Sequence, residues 1–139
     1  MTKILLVEDS KFLRLETERA LARAGYDVSV AADGEQAMQM AHEQIPDLIL
    51  LDLLLPKVTG ADVLKVLKND PVTKGIAVVV LTGLSARNAE RLRKDGAFAF
   101  LEKGDLEVEK GPEQLLAALA KIVRELNLQV PSREAAAAR

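Results

Sequence analysis

The chain has 139 residues, 49% of them hydrophobic and 29% charged, which is typical of one soluble domain that buries its own core. Its 19 basic and 21 acidic residues are interspersed, so nothing indicates direct contact with nucleic acid, and the absence of cysteine excludes disulfides and thiol chemistry. No apolar stretch approaches the roughly 20 residues that cross a bilayer, and the N-terminus does not have the organisation of a signal peptide, so we expect a cytoplasmic protein without membrane contact.

Strand-like and helix-like segments alternate five times along the chain. In chain order we predict a strand over about residues 3–8, a helix over 10–24, a strand over 27–31, a helix over 34–44, a strand over 48–52, a helix over 61–69, a strand over 77–82, a helix over 86–95, a strand over 97–101 and a helix over 112–126. This alternation predicts an α/β fold, with a parallel sheet that is covered by helices on both faces.

The composition of the segments supports this prediction. The first, third and fourth strands are continuous apolar runs, as expected for strands that are covered on both sides. The fourth helix has few large apolar residues, and we expect it to be the least firmly anchored element. The last helix carries an apolar stripe of five residues, Leu115, Leu119, Ile122, Val123 and Leu126.

Polar residues stand where four of the predicted strands end. Glu8 and Asp9 follow the first strand, Asp52 ends the third, Thr82 ends the fourth, and Lys103 follows the fifth. Because parallel strands all point the same way, their carboxyl ends meet at one edge of the sheet, which is where open α/β folds bind ligands. We therefore expect three carboxylates, a hydroxyl and an ammonium group to converge in one shallow site.

Several of these residues, and the polar residues near them, also have an ordinary structural use. Ser10 is predicted to cap the first helix, and Asp33, ahead of a glycine, to serve as a turn or cap residue. Asp52 alone could cap a turn, Thr82 alone could be a strand former, and Lys103 alone could be a solvated loop residue. Their joint placement at successive strand ends is what favours a functional role.

The ordered set of motifs resembles the receiver domain of two-component response regulators, over roughly residues 2–126. The resemblance is carried by five features: the acidic pair Glu8-Asp9; Asp52; the turn from Leu55-Pro56 to Gly60; Thr82-Gly83; and Phe100 three residues before Lys103. It implies a doubly wound (βα)5, flavodoxin-like fold whose five parallel strands have the order 2-1-3-4-5. It also implies a receiver domain over residues 1–127, followed by a C-terminal tail or truncated linker over 128–139.

The resemblance implies phosphorelay signalling. Asp52 would accept a phosphoryl group from a histidine kinase phosphohistidine and form an aspartyl phosphate. Glu8, Asp9 and Asp52 would hold Mg²⁺, Asp9 as a direct ligand and Glu8 through a water, with a further oxygen from the backbone carbonyl of Leu54. Lys103 would neutralise a phosphoryl oxygen. Such a chain is not an enzyme in the ordinary sense, because it catalyses only its own phosphorylation and dephosphorylation.

The resemblance also implies a switch and its partners. Thr82 would hydrogen-bond the new phosphoryl group, and the ring of Phe100 would fill the vacated space, which remodels the surface of the fourth helix, fifth strand and fifth helix. That surface would bind a downstream protein effector, and phosphorylation could also drive homodimerisation. Phe12 and Leu15 on the first helix would receive a sensor histidine kinase or phosphotransfer protein.

Two departures from the family pattern change the expectations. Gly104 stands where a proline usually follows the active-site lysine, and a trans linkage is favoured there because a cis bond before a non-proline residue costs about 2.5–4 kcal/mol. Leu54 and Leu84, each two residues beyond a site residue, are bulky and apolar. They would hinder the water that hydrolyses the acyl phosphate, so we expect slow dephosphorylation.

Three other interpretations compete with this one. A pseudo-receiver would keep the fold as an interaction module that phosphorylation does not regulate, and Gly104 keeps this alternative open. A magnesium enzyme of the toprim type would need a second aspartate where the chain has Leu54. A nucleotide-binding flavodoxin-like domain is disfavoured because the first strand-to-helix turn, residues 8–11, lacks glycine and carries negative charge that would repel phosphate.

Overall fold

The computed structural model describes residues 1–82, 89–102, 112–128 and 130. Within them, five strands and five helices alternate as the sequence predicts. The elements are β1 (Lys3–Val7), α1 (Lys11–Arg23), β2 (Asp27–Ala31), α2 (Gly34–Gln44), β3 (Leu48–Asp52), α3 (Gly60–Asn69), β4 (Ala77–Thr82), α4 (Ala89–Lys94), β5 (Ala99–Glu102) and α5 (Glu113–Glu125).

The strands form one parallel sheet in the order β2-β1-β3-β4-β5, which confirms the predicted topology. Val7 at the end of β1 pairs with Leu51 in β3, and Asp52 at the end of β3 pairs with Leu81 in β4. Strands that are neighbours in the sheet are therefore paired up to their carboxyl ends. This register brings the residues that follow β1 and β3 to the same edge of the sheet.

Helices cover both faces of the sheet, and each face has its own core cluster. One cluster joins alternate residues of the central strands to α2, α3 and Leu92 of α4. The other joins the remaining alternate residues to Leu21 of α1 and to the α5 stripe, where Leu119, Ile122 and Val123 are buried as predicted. All five residues of β3 are buried, which explains why this strand is a continuous apolar run up to its terminal aspartate.

Side-chain caps begin three of the helices. Ser10 Oγ accepts a hydrogen bond from the Leu13 amide at 3.4 Å, and an Asp33 carboxylate oxygen accepts one from the Gln36 amide at 2.8 Å. Both residues were predicted as caps and both predictions are confirmed. Thr59 caps α3 in the same way, so this helix begins at Gly60, one residue earlier than predicted.

β5 begins at Ala99, two residues later than predicted, and Ala97, where the prediction placed its start, belongs to the end of α4. Gly96 adopts a left-handed conformation with φ of 111°, and the amide of Ala97 donates to the carbonyl of Leu92 at 2.9 Å. This is a Schellman-type helix end, so the Ala97 amide is hydrogen-bonded to the helix and does not pair with the neighbouring strand. The predicted first part of α4, residues 86–88, lies outside the described residues.

Contacts with the core continue beyond α5. Leu128 and Val130 are half-buried against the cluster that contains α1 and α5, and the amide of Leu128 donates to the carbonyl of Val123 at 3.0 Å. Among the described residues, no helix combines the length and the apolar character that a membrane span requires.

Candidate functional site

Three carboxylates meet at the carboxyl edge of the sheet. Glu8 and Asp9 directly follow β1, and Asp52 is the last residue of the neighbouring strand β3. One carboxylate oxygen from each lies within 4.8 Å of the others. Glu8 and Asp52 are only 6% and 3% exposed, whereas Asp9 faces solvent. The structure therefore brings together the three acidic residues that the sequence placed at adjacent strand ends.

This arrangement concentrates negative charge. Like charges at this separation repel one another, although solvent around the exposed Asp9 weakens the repulsion. A divalent cation between them would convert that repulsion into attraction. Mg²⁺ prefers hard oxygen ligands and is usually held by one or two carboxylates together with waters and phosphate oxygens. The donor set at this edge fits that ion.

The β3–α3 loop fixes the Asp52 carboxylate. The amide of Leu54 donates to Asp52 Oδ1 at 3.1 Å, which restricts rotation of the side chain. The amide of Leu53 donates to the carbonyl of Leu81 at 3.0 Å, so the loop leaves the sheet in contact with β4. Leu55 is buried, but the side chain of Leu54 is 62% exposed. The loop thus presents an apolar side chain to solvent two residues from the carboxylate.

Arg14 contacts the turn formed by Glu8 and Asp9, and it was not among the site residues predicted from the sequence. Its guanidinium Nη1 donates to the carbonyl oxygen of Glu8 at 2.9 Å and to that of Asp9 at 3.3 Å. These contacts join α1 to the turn that precedes it. A basic residue four positions after the cap Ser10 is the only signal in the sequence, and it does not reveal which carbonyls the side chain reaches.

The other predicted site residues are described to different extents. Thr82 is the last residue of β4, and its neighbour Leu81 pairs with Asp52, so the backbone of Thr82 reaches the same edge. Phe100 lies in β5, opposite Val80, and is half-buried against the cluster beneath α2 and α3. Lys103, Gly104 and Leu84 lie outside the described residues.

The two predicted docking residues project from α1. Phe12 is 71% exposed and Leu15 is 38% exposed, although both are large and apolar. They lie in the first two turns of the helix, close in sequence to the acidic pair. Their exposure agrees with the expectation that they form part of a surface, and their role remains a prediction.

Comparison with known proteins identifies similar chains. The family model of the response regulator receiver domain matches residues 4–120, a span that contains every predicted site residue. Response regulator PleD of Caulobacter vibrioides is 40% identical over 103 residues, which are 73% of this chain and 22% of that protein. Polar-differentiation response regulator DivK of Brucella ovis is 35% identical over 105 residues, 74% of this chain and 85% of that protein.

Among solved structures, the chemotaxis response regulator CheY4 of Vibrio cholerae is 31% identical with a TM-score of 0.79, and the match covers 88% of this chain and 98% of that one. The chain therefore spans about a fifth of the length of PleD but most of the length of DivK and CheY4.

Proposed function

The chain belongs to the response regulator receiver domain family, and on that basis we propose that it is a phosphorelay switch in which Asp52 accepts a phosphoryl group. The donor is the phosphohistidine of a sensor histidine kinase or of a phosphotransfer protein. The observation that carries this proposal is the meeting of Glu8, Asp9 and Asp52 at one edge, with oxygens within 4.8 Å of one another. Receiver domains are signalling switches, and the chemistry that we propose for this chain is its own phosphorylation and dephosphorylation.

Receiver domains generally bind Mg²⁺ at an acidic cluster, and the cluster of this chain is composed of suitable oxygen donors. Asp9 and Asp52 would be direct ligands, Glu8 would act through a water, and the backbone carbonyl of Leu54 would supply a further oxygen. When bound, Mg²⁺ supplies the positive charge that allows a carboxylate and a phosphoryl group to approach each other.

The residues of the chain then position the reaction. An Asp52 carboxylate oxygen forms a bond to phosphorus as the bond between phosphorus and the donor imidazole nitrogen breaks, and the imidazole leaves with the electron pair. The hydrogen bond from the Leu54 amide holds the carboxylate in place during this transfer. Lys103 pairs with one phosphoryl oxygen and the Thr82 hydroxyl donates to another. The protein thus contributes position and charge rather than further covalent chemistry.

The phosphoryl group changes the surface formed by α4, β5 and α5. A switch needs contacts that differ between its two states, and here the contacts of Thr82 and Lys103 with the phosphoryl group exist only after transfer. Phe100 is half-buried, so an inward rotation would bury more of its ring. A downstream protein effector reads the altered surface. The exposed side chains of Phe12 and Leu15 supply an apolar contact for the phosphoryl donor.

The test is incubation with a small phosphodonor, such as acetyl phosphate, in the presence of Mg²⁺, followed by intact mass measurement. We expect the wild type to gain the mass of one phosphoryl group, and we expect no gain with a chelator or in Asp52→Asn. Asp62→Asn, which alters an exposed aspartate in the first turn of α3, is the matched control and should behave as the wild type. A wild type that gains no mass would favour the pseudo-receiver alternative, and an equal gain in Asp52→Asn would exclude Asp52 as the acceptor.

A further inference from the structure

Arg14 binds the backbone of the turn that carries the two acidic residues after β1. Its side chain is half-buried, and a single guanidinium nitrogen donates to two successive carbonyl oxygens, those of Glu8 and Asp9. Hydrogen bonds from a charged donor are stronger than neutral ones, and the planar guanidinium loses little freedom in making them. The contact therefore fixes the orientation of two peptide groups in the turn.

Other bonds hold the two ends of the same turn. The amide of Glu8 donates to the carbonyl of Ala31 at 3.1 Å, which keeps the end of β1 attached to β2. Ser10 caps α1 through the amide of Leu13. Asp9 lies between these two anchors and is exposed, and the bond from Arg14 adds a restraint at its carbonyl. Because the Cα–Cβ bond has a fixed direction relative to its own peptide groups, a restrained backbone limits the positions that the Asp9 carboxylate can reach.

We propose that Arg14 is a positioning residue for the divalent-cation site: it holds the Glu8–Asp9 turn in the geometry in which both carboxylates converge with Asp52. This inference rests on the proposed function in taking Mg²⁺ as the ligand of the cluster. Arg14 has two opposite effects on that ion. Its positive charge repels a cation, whereas the ordered turn presents the ligands. The proposal is that the second effect is larger.

The sign of the change in Mg²⁺ affinity separates these two effects. Arg14→Met removes the charge and both hydrogen bonds while it keeps an unbranched apolar stem. Arg14→Lys keeps the charge, but its ammonium nitrogen lies one bond closer to the helix than Nη1 of arginine, so it should reach the two carbonyl groups less well. Arg19→Met is the matched control, because Arg19 lies on the same helix and its guanidinium is exposed, 3.9 Å from a Glu16 carboxylate oxygen.

The measurement is the dissociation constant for Mg²⁺ by isothermal titration calorimetry. Loss of groups that orient metal ligands commonly weakens binding about 10–100-fold, and Arg14 acts on the backbone rather than on the carboxylates, so we expect about three- to tenfold weaker binding in Arg14→Met. The dissociation constant of Arg14→Lys should lie between those of Arg14→Met and the wild type. Arg19→Met should bind Mg²⁺ as the wild type does or slightly more tightly. Unchanged or tighter binding in Arg14→Met would overturn the inference.

A second measurement does not depend on the metal. In the metal-free protein, the backbone carbonyl ¹³C resonances of Glu8 and Asp9 should shift in Arg14→Met and stay in place in Arg19→Met. Resonances that do not shift would show that the bonds are not made in solution and would overturn the inference.

Two outcomes separate this inference from the proposed function. If the wild type does not bind Mg²⁺, the proposed function is contradicted and the positioning role is removed with it. If the wild type and Arg14→Met bind Mg²⁺ equally well, only this inference is contradicted. If Arg14→Met does not fold, Arg14→Gln, which removes the charge and is too short to reach both carbonyl groups, carries the test, and Mg²⁺ binding as tight as in the wild type would overturn the inference.

Discussion

Gly60 packs directly against the carbonyl group of Asp52: a Cβ atom at position 60 would lie 2.6 Å from that oxygen and 2.7 Å from the Cα of Leu53. The neighbours are backbone atoms at the end of β3, which cannot move aside as a flexible side chain can. The amide of Gly60 also donates to the carbonyl of Leu53 at 3.0 Å. The loop that carries Leu54 therefore folds back onto the strand end because residue 60 has no side chain.

Gly60→Ala should lower stability and slow phosphorylation together. Forcing atoms into a packed region costs about 1–3 kcal/mol, and here the displaced backbone belongs to Asp52 and the loop that orients its carboxylate. Gly75→Ala is the matched control, since a Cβ there meets nothing within 4 Å. Denaturant unfolding and the rate of mass gain from a phosphodonor measure the two effects. Equal behaviour of the two variants would contradict the close packing at Gly60.

Leu54 should slow the loss of the phosphoryl group. Its side chain is exposed and lies two residues from Asp52, so we expect it to hinder the approach of the hydrolysing water. We expect Leu54→Asn to hydrolyse about three- to tenfold faster, which corresponds to roughly 1 kcal/mol of barrier. The decay of the phosphorylated mass after removal of the donor gives the rate. Val66→Asn, an equally polar change at an exposed position of α3, should leave the rate unchanged, and an unchanged rate in Leu54→Asn would refute the prediction.

Asp9→Asn should stabilise the metal-free protein, because it removes one of three mutually repelling carboxylates. The gain should be about 1 kcal/mol at most, since Asp9 is exposed and solvent screens its charge. With saturating Mg²⁺ the order should reverse, because the wild type gains more from binding the ion. Denaturant unfolding with and without Mg²⁺ measures both differences, with Asp62→Asn as the control. If the free energies of unfolding of Asp9→Asn and the wild type differ by the same amount with and without Mg²⁺, Asp9 does not take part in binding the cation.

Tyr26 should make stability fall at high pH. The side chain is 4% exposed, and burial raises the pKa of its phenol above the ordinary value of about 10, although the charge of Arg124 opposes the shift. As the pH rises past 10, the unfolded chain loses this proton before the folded one does. The stability contributed by the neutral phenol is therefore complete below about pH 10 and is lost as the pH rises through the folded pKa.

The chain contains one tyrosine and no tryptophan, so phenolate absorbance near 295 nm reports Tyr26 alone. We expect a midpoint above 10 in the folded protein, and we expect Tyr26→Phe to lose less stability between pH 9 and pH 11 than the wild type. A midpoint at or below the ordinary tyrosine value would show that the phenol is not buried as described.

The sequence predicts the strands and the acidic site well because both depend on local patterns. Continuous apolar runs identify buried strands, and in a parallel sheet the polar residues that follow β1 and β3 must share one edge. The strand order and the meeting of Glu8, Asp9 and Asp52 agree with this argument. The caps Ser10 and Asp33 were predictable for the same reason, since each precedes its helix directly.

The remaining features depend on contacts between segments. The observed start of β5 is later than the predicted one, and the Ala97 amide bonds to the end of α4 instead. The identities of residues 97 and 98 do not indicate that bond. The close approach of Gly60 to Asp52, and the reach of Arg14 to two carbonyl groups, follow from the shape of loops that periodicity does not describe. The roles of Thr82, Lys103 and Phe100 remain predictions.

The role of Asp52 as phosphoryl acceptor is tested most directly by locating the phosphoryl group in the unaltered protein. After reaction with a phosphodonor and Mg²⁺, borohydride reduces an aspartyl phosphate to homoserine, and peptide mass spectrometry identifies the reduced position. We expect homoserine in place of Asp52, with no reduction of Glu8 or Asp9. Reduction at another carboxylate, or a phosphorylated protein in which no carboxylate is reduced, would contradict it.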